Sequence, residues 1–132
     1  MSDAVTDTPK GELTLRTLAM PRDVNTNGDI FGGWVLSQMD IAAGIVAAAR
    51  AKGRVATVAI DAMEFIRPVK VGDVLCIYVD ILRIGRTSMG LQIEAWVLRR
   101  GQEGREKVTK GVFTFVAIDE AGKPRPVPKT TT

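Results

Sequence analysis

The sequence predicts an α+β domain in which one long helix packs against an antiparallel sheet of five strands. Residues 31–51 are mostly helix formers, whereas later segments alternate apolar and polar side chains with the period of two that strands have. The 132 residues match the size of one domain. We expect a single domain over residues 1–132, with an ordered body at about residues 11–128 and extended tails.

The first strand and the helix are separated by a loop rich in turn-forming residues. Alternating side chains predict a strand from Glu12 to Met20, which ends at Pro21. The loop RDVNTNGDIFGGW follows, and the helix covers about Phe31 to Ala51. Gly53 is the expected glycine after the last helical turn, where a left-handed residue commonly ends a helix.

Strands predominate in the rest of the chain. Segments rich in Val, Ile, Leu and Phe predict four strands, from Val55 to Pro68, Asp73 to Ile84, Thr87 to Arg100 and Lys107 to Asp119. Short connections that carry turn glycines join these segments, which is typical of neighbouring antiparallel strands. The predicted order is therefore strand, helix and four strands.

The helix is apolar nearly all round, which is typical of a buried helix. Between Asp29 and Arg50, Asp40 is its one ionisable side chain. A sheet wrapped around such a helix gives the hotdog architecture, usually dimeric, because a sheet edge is left to pair with a second copy. Asp40 is then expected inside the domain or at a seam, where an isolated charge is costly.

The composition excludes several kinds of protein. The chain has no histidine, so it has no Ser-His-Asp or Cys-His catalytic unit and no His-ligated zinc site. Cys76 is the only cysteine, which excludes an intrachain disulfide and predicts a reducing compartment, the cytoplasm. Asp40 and Gln38 interrupt the longest weakly charged stretch, so we expect no membrane insertion.

The charge balance indicates a small anionic ligand. Eighteen Lys and Arg against fifteen Asp and Glu give a net charge of +3. The cations are spread without a long run, and two Trp, one Tyr and four Phe supply little base stacking, so we expect no nucleic-acid partner. A phosphorylated cofactor fits this pattern better than a polyanion.

Asp40 has two interpretations. It is a buried or interfacial carboxylate satisfied by backbone amides, or it is a catalytic group that requires a pocket and oxyanion donors. Gly32 and Gly33 open the same helix and are candidate donors, because glycines let a ligand approach N–H groups at the positive end of the helix dipole. A plain turn needs such glycines too, so the residues alone leave both interpretations open.

Several motifs resemble those of the YciA-type acyl-CoA thioesterases of the hotdog superfamily. The main one is NTNGDIFGGW at residues 25–34, followed by QMD at residues 38–40. The segments LRTLAMP, MEFIRPVKVGD, GRTSM and FVAIDEAGKPRPVP also resemble that family. The resemblance covers about residues 11–128.

This resemblance implies an enzyme that hydrolyses acyl-CoA thioesters to free carboxylic acid and coenzyme A. No cofactor is implied beyond the coenzyme A moiety of the substrate, and no metal. Asp40 would activate the water that attacks the thioester carbonyl, or would attack that carbonyl itself. Asn25 of a partner subunit would position water or substrate, and amides at Gly32 and Gly33 would hold the oxyanion.

The resemblance also implies contacts with coenzyme A and self-association. The implied contacts are in two segments, Thr57, Val58 and Ala59 on one strand and Arg86, Thr87 and Ser88 at the start of another. Members of the family form dimers or trimers of dimers, so we expect a homodimer or a hexamer. From the residues alone, Thr57 is equally an ordinary strand former and Arg86 part of a solvated turn. The alternative function is a non-catalytic module that binds or senses acyl-CoA.

Overall fold

The structure is a computed structural model that describes residues 8–129. The expected tails therefore fall partly outside the described residues, at 1–7 and 130–132. The chain forms β1 (Glu12–Leu18), a 3-10 turn (Pro21–Asp23), α1 (Gly32–Ala51), β2 (Val55–Phe65), β3 (Val74–Ile84), β4 (Ser88–Leu98) and β5 (Glu106–Ala117). The predicted α+β class and order of elements are confirmed.

The five strands form one antiparallel sheet in the order β1-β3-β4-β5-β2, and α1 packs against every strand. The predicted arrangement of a central helix wrapped by the sheet is therefore confirmed. β1 and β2 are the edge strands of this sheet. β2 is the strand that directly follows the helix. It pairs with β5 on one side, and its other side is an open edge of the sheet.

The helix covers the sheet with one face of small side chains. Its buried residues recur at helical spacing and are Val35, Met39, Ala42, Ala43, Ala47 and Ala51. Four alanines let the helix axis approach the sheet closely, where large side chains such as Phe113 fill the space between them. On the opposite face, Ile41 and Ile45 are 50% and 55% exposed. The expectation of a helix buried all round is therefore wrong for a single chain.

By length and composition, α1 is apolar enough to cross a membrane. Its contacts with all five strands are those of a core helix.

Most predicted boundaries differ from the structure by one to three residues, and those at the ends of α1 and β2 are informative. The left-handed residue that ends α1 is Lys52, with φ 57°, and not Gly53. Gly53 is required for another reason, because the guanidinium of Arg125 occupies the space that a Cβ there would take. β2 ends at Phe65 and not at Pro68, since the amides of the next two residues both bond to one acceptor, the carbonyl of Val108.

Candidate active site

Asp40 and Thr57 meet where α1 crosses the edge strand β2. The Thr57 hydroxyl donates a hydrogen bond of 2.7 Å to Oδ1 of Asp40, and both residues are partly buried. Oδ2 of Asp40 has no hydrogen-bond partner among residues 8–129. The carboxylate is thus held through one oxygen while the other is unbonded, and Asp40 lies partly buried between the helix and an edge strand.

The part of β2 around Thr57 contains a β-bulge. Thr57 pairs with Phe115 and Ala59 pairs with Thr114, so Val58 is the extra residue that has no partner on β5. Bulges bend a strand and redirect its side chains, and they are common at sheet edges and beside active sites. The segment from Thr57 to Ala59, for which the resemblance implied coenzyme A contacts, therefore coincides with a local distortion of an open edge.

The amides of Gly32 and Gly33 begin α1 without protein partners. The capping residue Phe31 offers no side-chain hydrogen bond, and the described residues supply no acceptor for either glycine N–H. Apart from its chain neighbours and the nearby helix backbone, no atom lies within 4 Å of where a Cβ on Gly33 would be, so the space beside this residue is open. A ring carbon of Phe65 lies 3.3 Å from the equivalent point on Gly32. The first turn therefore presents donors suited to a negative oxygen.

Within one chain these amides do not reach the carboxylate. Eight residues separate Gly32 from Asp40, which is about 12 Å along the axis of a helix that rises ~1.5 Å per residue. A cavity of about 220 Å³ lies beside Gly32, and its wall does not include Asp40. One thioester carbonyl cannot contact both groups of the same chain, so the two are not a single-chain catalytic unit.

Asn25 organises the loop before the helix. Its Oδ1 accepts hydrogen bonds from the amides of Asn27, at 2.9 Å, and Asp29, at 3.1 Å. Gly28 takes φ +83° in this turn, which a side chain would rarely adopt. The Nδ2 group of Asn25 has no partner in the described part of the chain. The side chain is therefore oriented by its oxygen and keeps its N–H groups for a ligand, although none reaches Asp40 of the same chain.

The second predicted segment lies two strands away from the first, at the same level of the sheet. Ala56 pairs with Val116 of β5, and Val116 pairs with Ser88 of β4. Neighbouring strands are ~4.8 Å apart, so about 10 Å separates the two segments. The tertiary structure thus brings together two regions that are about thirty positions apart in the chain.

A cationic cavity of about 620 Å³ adjoins this second segment. Arg50 from the last turn of α1, Arg86 from the β3–β4 turn and Lys129 from the C-terminal segment line it, and its wall contains no acidic residue. Two hydrogen bonds hold the C-terminal segment in place, from Arg50 Nη1 to the Pro128 carbonyl and from the Val127 amide to the Arg86 carbonyl. Val127 is buried as a result.

Sequence reasoning missed Arg50 and Lys129 as members of this cavity. Arg50 was explained by its position at the negative end of the helix, and Lys129 belongs to a tail that was expected to be extended. Thr57 was expected only as a coenzyme A contact, whereas its hydroxyl bonds to Asp40. No local sequence pattern predicts the members of this cavity or the bond between Thr57 and Asp40, because both depend on contacts between distant parts of the chain.

Among residues 8–129, no group of three or more Cys, Asp or Glu side chains could hold a metal ion.

Comparison with known proteins now identifies the class. Residues 27–103 match the family model of the thioesterase superfamily. The hexameric hotdog fold thioesterase of Campylobacter jejuni is 36% identical, with a TM-score of 0.85 and coverage of 90% of this chain and 92% of that one. The fold and the matched segment define a hotdog protein of the thioesterase superfamily.

Closer relatives define the family. The acyl-CoA thioester hydrolase YciA of Salmonella typhimurium is 54% identical over 125 residues, 92% of this chain and 94% of the relative. An aspartate-to-alanine variant of a hexameric, broad-specificity acyl-coenzyme A thioesterase is 50% identical, with a TM-score of 0.89 and coverage of 92% and 90%. The chain belongs to the YciA-type acyl-CoA thioester hydrolases, and the resemblance seen in its motifs is confirmed.

A more distant structure contains ligands. The acyl-CoA hydrolase of Staphylococcus aureus, solved with butyryl coenzyme A, coenzyme A and coenzyme A disulfide, is 29% identical to this chain. Its TM-score is 0.80, and the match covers 86% of this chain and 70% of that one.

Proposed function

We propose that this chain hydrolyses acyl-CoA thioesters to a free carboxylic acid and coenzyme A, with Asp40 as the catalytic carboxylate. The observation that carries the proposal is the hydrogen bond from Thr57 to Oδ1 of Asp40, which leaves Oδ2 for the reacting atoms. A carboxylate held in this way suits general-base or nucleophilic chemistry. Membership in a family of acyl-CoA thioester hydrolases supports the same reaction.

Two routes satisfy the chemistry. In one, Oδ2 takes a proton from water as the water oxygen attacks the carbonyl carbon, the C–S bond then breaks, and the coenzyme A thiolate leaves and is protonated. In the other, Oδ2 attacks the carbonyl carbon, thiolate leaves, and water hydrolyses the resulting anhydride. Rapid-quench mass spectrometry distinguishes them, because only the second route places an acyl group on Asp40.

The catalytic site is composed of two copies of the chain. The first-turn amides of Gly32 and Gly33 lie about 12 Å along the helix from Asp40 of the same chain, so a second copy must supply the oxyanion donors. Asn25 of that copy, whose Nδ2 is unengaged, then positions water or substrate. A single chain therefore contains every group of the proposed site, but these groups come together only when two chains pair.

Exposed apolar side chains support pairing through β2 and the outer face of α1. Ile41 and Ile45 on the helix are at least half exposed, and Val58 on the adjacent open edge is 56% exposed. An open edge beside uncovered apolar surface favours association with a second copy. We propose a dimer as the catalytic unit and a hexamer, arranged as a trimer of dimers, as the full assembly. The related broad-specificity thioesterase and the Campylobacter jejuni thioesterase are hexameric.

The coenzyme A moiety occupies the region between the two predicted segments and the cationic cavity. Arg86 lines that cavity together with Arg50 and Lys129, and Thr87 and Ser88 directly follow Arg86 in the chain. Guanidinium and hydroxyl groups are the usual partners of phosphate oxygens. Val58 and Ala59, at the bulge, contact the pantetheine arm, which is uncharged and suits their apolar side chains.

No cofactor is needed for this hydrolysis, since both routes consume only water and the thiolate is a good leaving group. Turnover should therefore persist in a chelator. The free and buried thiol of Cys76 is compatible with a reducing compartment, and we propose a cytoplasmic location, which cell fractionation would test.

A thiol-release assay on short, medium, long and aromatic acyl-CoA esters tests the function. Asp40→Asn should lower turnover by ~10² to 10⁴-fold, the usual range for a proton-transferring group. Asp80→Asn is the matched control, since Asp80 on β3 has no side-chain hydrogen bond or ion pair in residues 8–129. Saturable binding of acyl-CoA by the wild-type protein without release of thiol would favour a non-catalytic binding or sensing module instead.

A further inference from the structure

A second cavity, of about 400 Å³, lies beside the hairpin that joins β4 to β5. Trp96 and Val97 form its apolar part. Four basic and two acidic side chains complete the wall, namely Arg67, Arg99, Arg105, Lys107, Glu103 and Glu106. The cavity shares no residue with the Asp40–Thr57 pair or with the cavity at Arg86, and Arg67 also lines the cavity beside Gly32. Basic side chains outnumber acidic ones in its wall.

Two of its basic side chains are already matched by carboxylates. Arg99 lies 3.6 Å from Oδ2 of Asp73 and 3.4 Å from Oε1 of Glu106. Lys107 lies 3.8 Å from Oε2 of the buried Glu94, with its ammonium 5.5 Å from the centre of the Trp96 ring. These ion pairs hold the side chains of the wall in place. They include the acidic groups of this region except Glu103.

The other two guanidinium groups are held by neutral acceptors. Arg67 Nη1 donates to the carbonyl of Lys107 at 2.8 Å, and Arg105 Nη1 donates to the hydroxyl of Tyr78 at 3.1 Å. Within residues 8–129, neither makes an ion pair with a carboxylate. Each guanidinium carries five N–H donors, so most of them remain for a ligand. Two oriented guanidinium groups without an ion-pair partner thus face one cavity, whose wall also contains Glu103.

We propose that this cavity is a binding site for the phosphoryl group of a small organic phosphate, separate from the thioester substrate. Planar guanidinium forks match the oxygens of a phosphoryl group in pairs. The volume falls in the ~300 to 1,000 Å³ range of small-molecule sites, and so leaves room for an organic group beyond the phosphate itself. The composition predicted a small anionic ligand, and the excess of basic side chains at this wall is complementary in charge to such a ligand.

Calorimetric titration of the assembled full-length protein with inorganic pyrophosphate tests the proposal. The titration is run in saturating coenzyme A, so that phosphate sites of the substrate region are filled. Arg105→Gln should weaken pyrophosphate binding about tenfold or more, as expected for loss of a charge-assisted contact. Arg105 is preferred to Arg67 because Arg67 also lines the cavity beside Gly32. Arg100→Gln, an equal loss of charge next to the cavity but outside its wall, should bind as the wild type does.

Further variants keep the test informative if Arg105→Gln folds poorly. Arg105→Lys keeps the charge without the fork and should bind with intermediate affinity, whereas Tyr78→Phe removes only the hydroxyl that orients Arg105 and should weaken binding several-fold. Absence of pyrophosphate binding to the wild type, or an equal effect of Arg105→Gln and Arg100→Gln, would overturn the proposal. Because the readout is binding and not turnover, the result is independent of whether Asp40 is catalytic.

Discussion

Removal of the Thr57 hydroxyl should reduce catalysis without weakening substrate binding. In Thr57→Val the side chain keeps its shape, but Oδ1 of Asp40 loses the donor that lies at 2.7 Å. The carboxylate is then free to rotate, and Oδ2 spends less time in the reactive orientation. We expect a lower kcat with little change in KM.

The size of the effect follows from the kind of bond and its environment. Hydrogen bonds to charged groups contribute about 1.5 to 3 kcal/mol, and partial exposure of both residues lowers this to roughly 1 to 2 kcal/mol. This range corresponds to a loss in kcat of about 5- to 30-fold. Thr57→Ser keeps a hydroxyl on the same carbon and should retain most of the activity.

A double-mutant cycle separates this role from a direct coenzyme A contact. The assay is steady-state thiol release for Asp40→Asn, Thr57→Val and the double variant. If Thr57 acts through Asp40, the double variant should be no slower than Asp40→Asn alone, because the positioned group is already lost. A rise in KM for Thr57→Val, with effects that multiply in the double variant, would show instead that the hydroxyl contacts the substrate and would refute this reasoning.

Four other variants test three separate parts of the proposed site. Gly33→Ala should fold as stably as the wild type, because no atom beyond its chain neighbours and the nearby helix backbone lies within 4 Å of the new Cβ, yet lose turnover by obstructing the amide; equal activity would contradict the oxyanion role. Arg50→Gln and Arg86→Gln should each raise KM for acyl-CoA but not for acyl-pantetheine, which lacks the nucleotide phosphates; an equal rise for both esters would exclude a phosphate contact. Ile60→Lys, on the open edge of β2, should reduce the assembly mass in light scattering and abolish turnover, and an active assembly of unchanged mass would argue against pairing through this edge.

The order and type of the secondary structure could be predicted from the sequence because both follow from local periodicity. The alternation in β4 placed Met89, Leu91 and Ile93 on one face, and these side chains are buried against the helix. Boundaries were less predictable where tertiary contacts decide them. β2 ends at Phe65 because the amides of the next two residues bond to the carbonyl of Val108, which lies more than forty positions away in the chain.

The sequence by itself determined the residues available for catalysis. The absence of histidine leaves carboxylates, amides and backbone dipoles, and the single charge of the long helix singled out Asp40. The glycine pair is a candidate because it opens the same helix, and the resemblance of the motifs added Asn25. These inferences need only the residue types and their short spacings, which are properties of the sequence and do not depend on the fold.

Only the tertiary structure decided how these residues can act together. A bulge and an edge position bring the Thr57 hydroxyl to Asp40, and strand register sets Ser88 at the level of Ala56. The rise of an α-helix separates Gly32 from Asp40 by about 12 Å, and the proposed two-chain site rests on that separation. These relations arise from long-range packing, in which the position of one residue depends on many distant ones, and no local pattern encodes them.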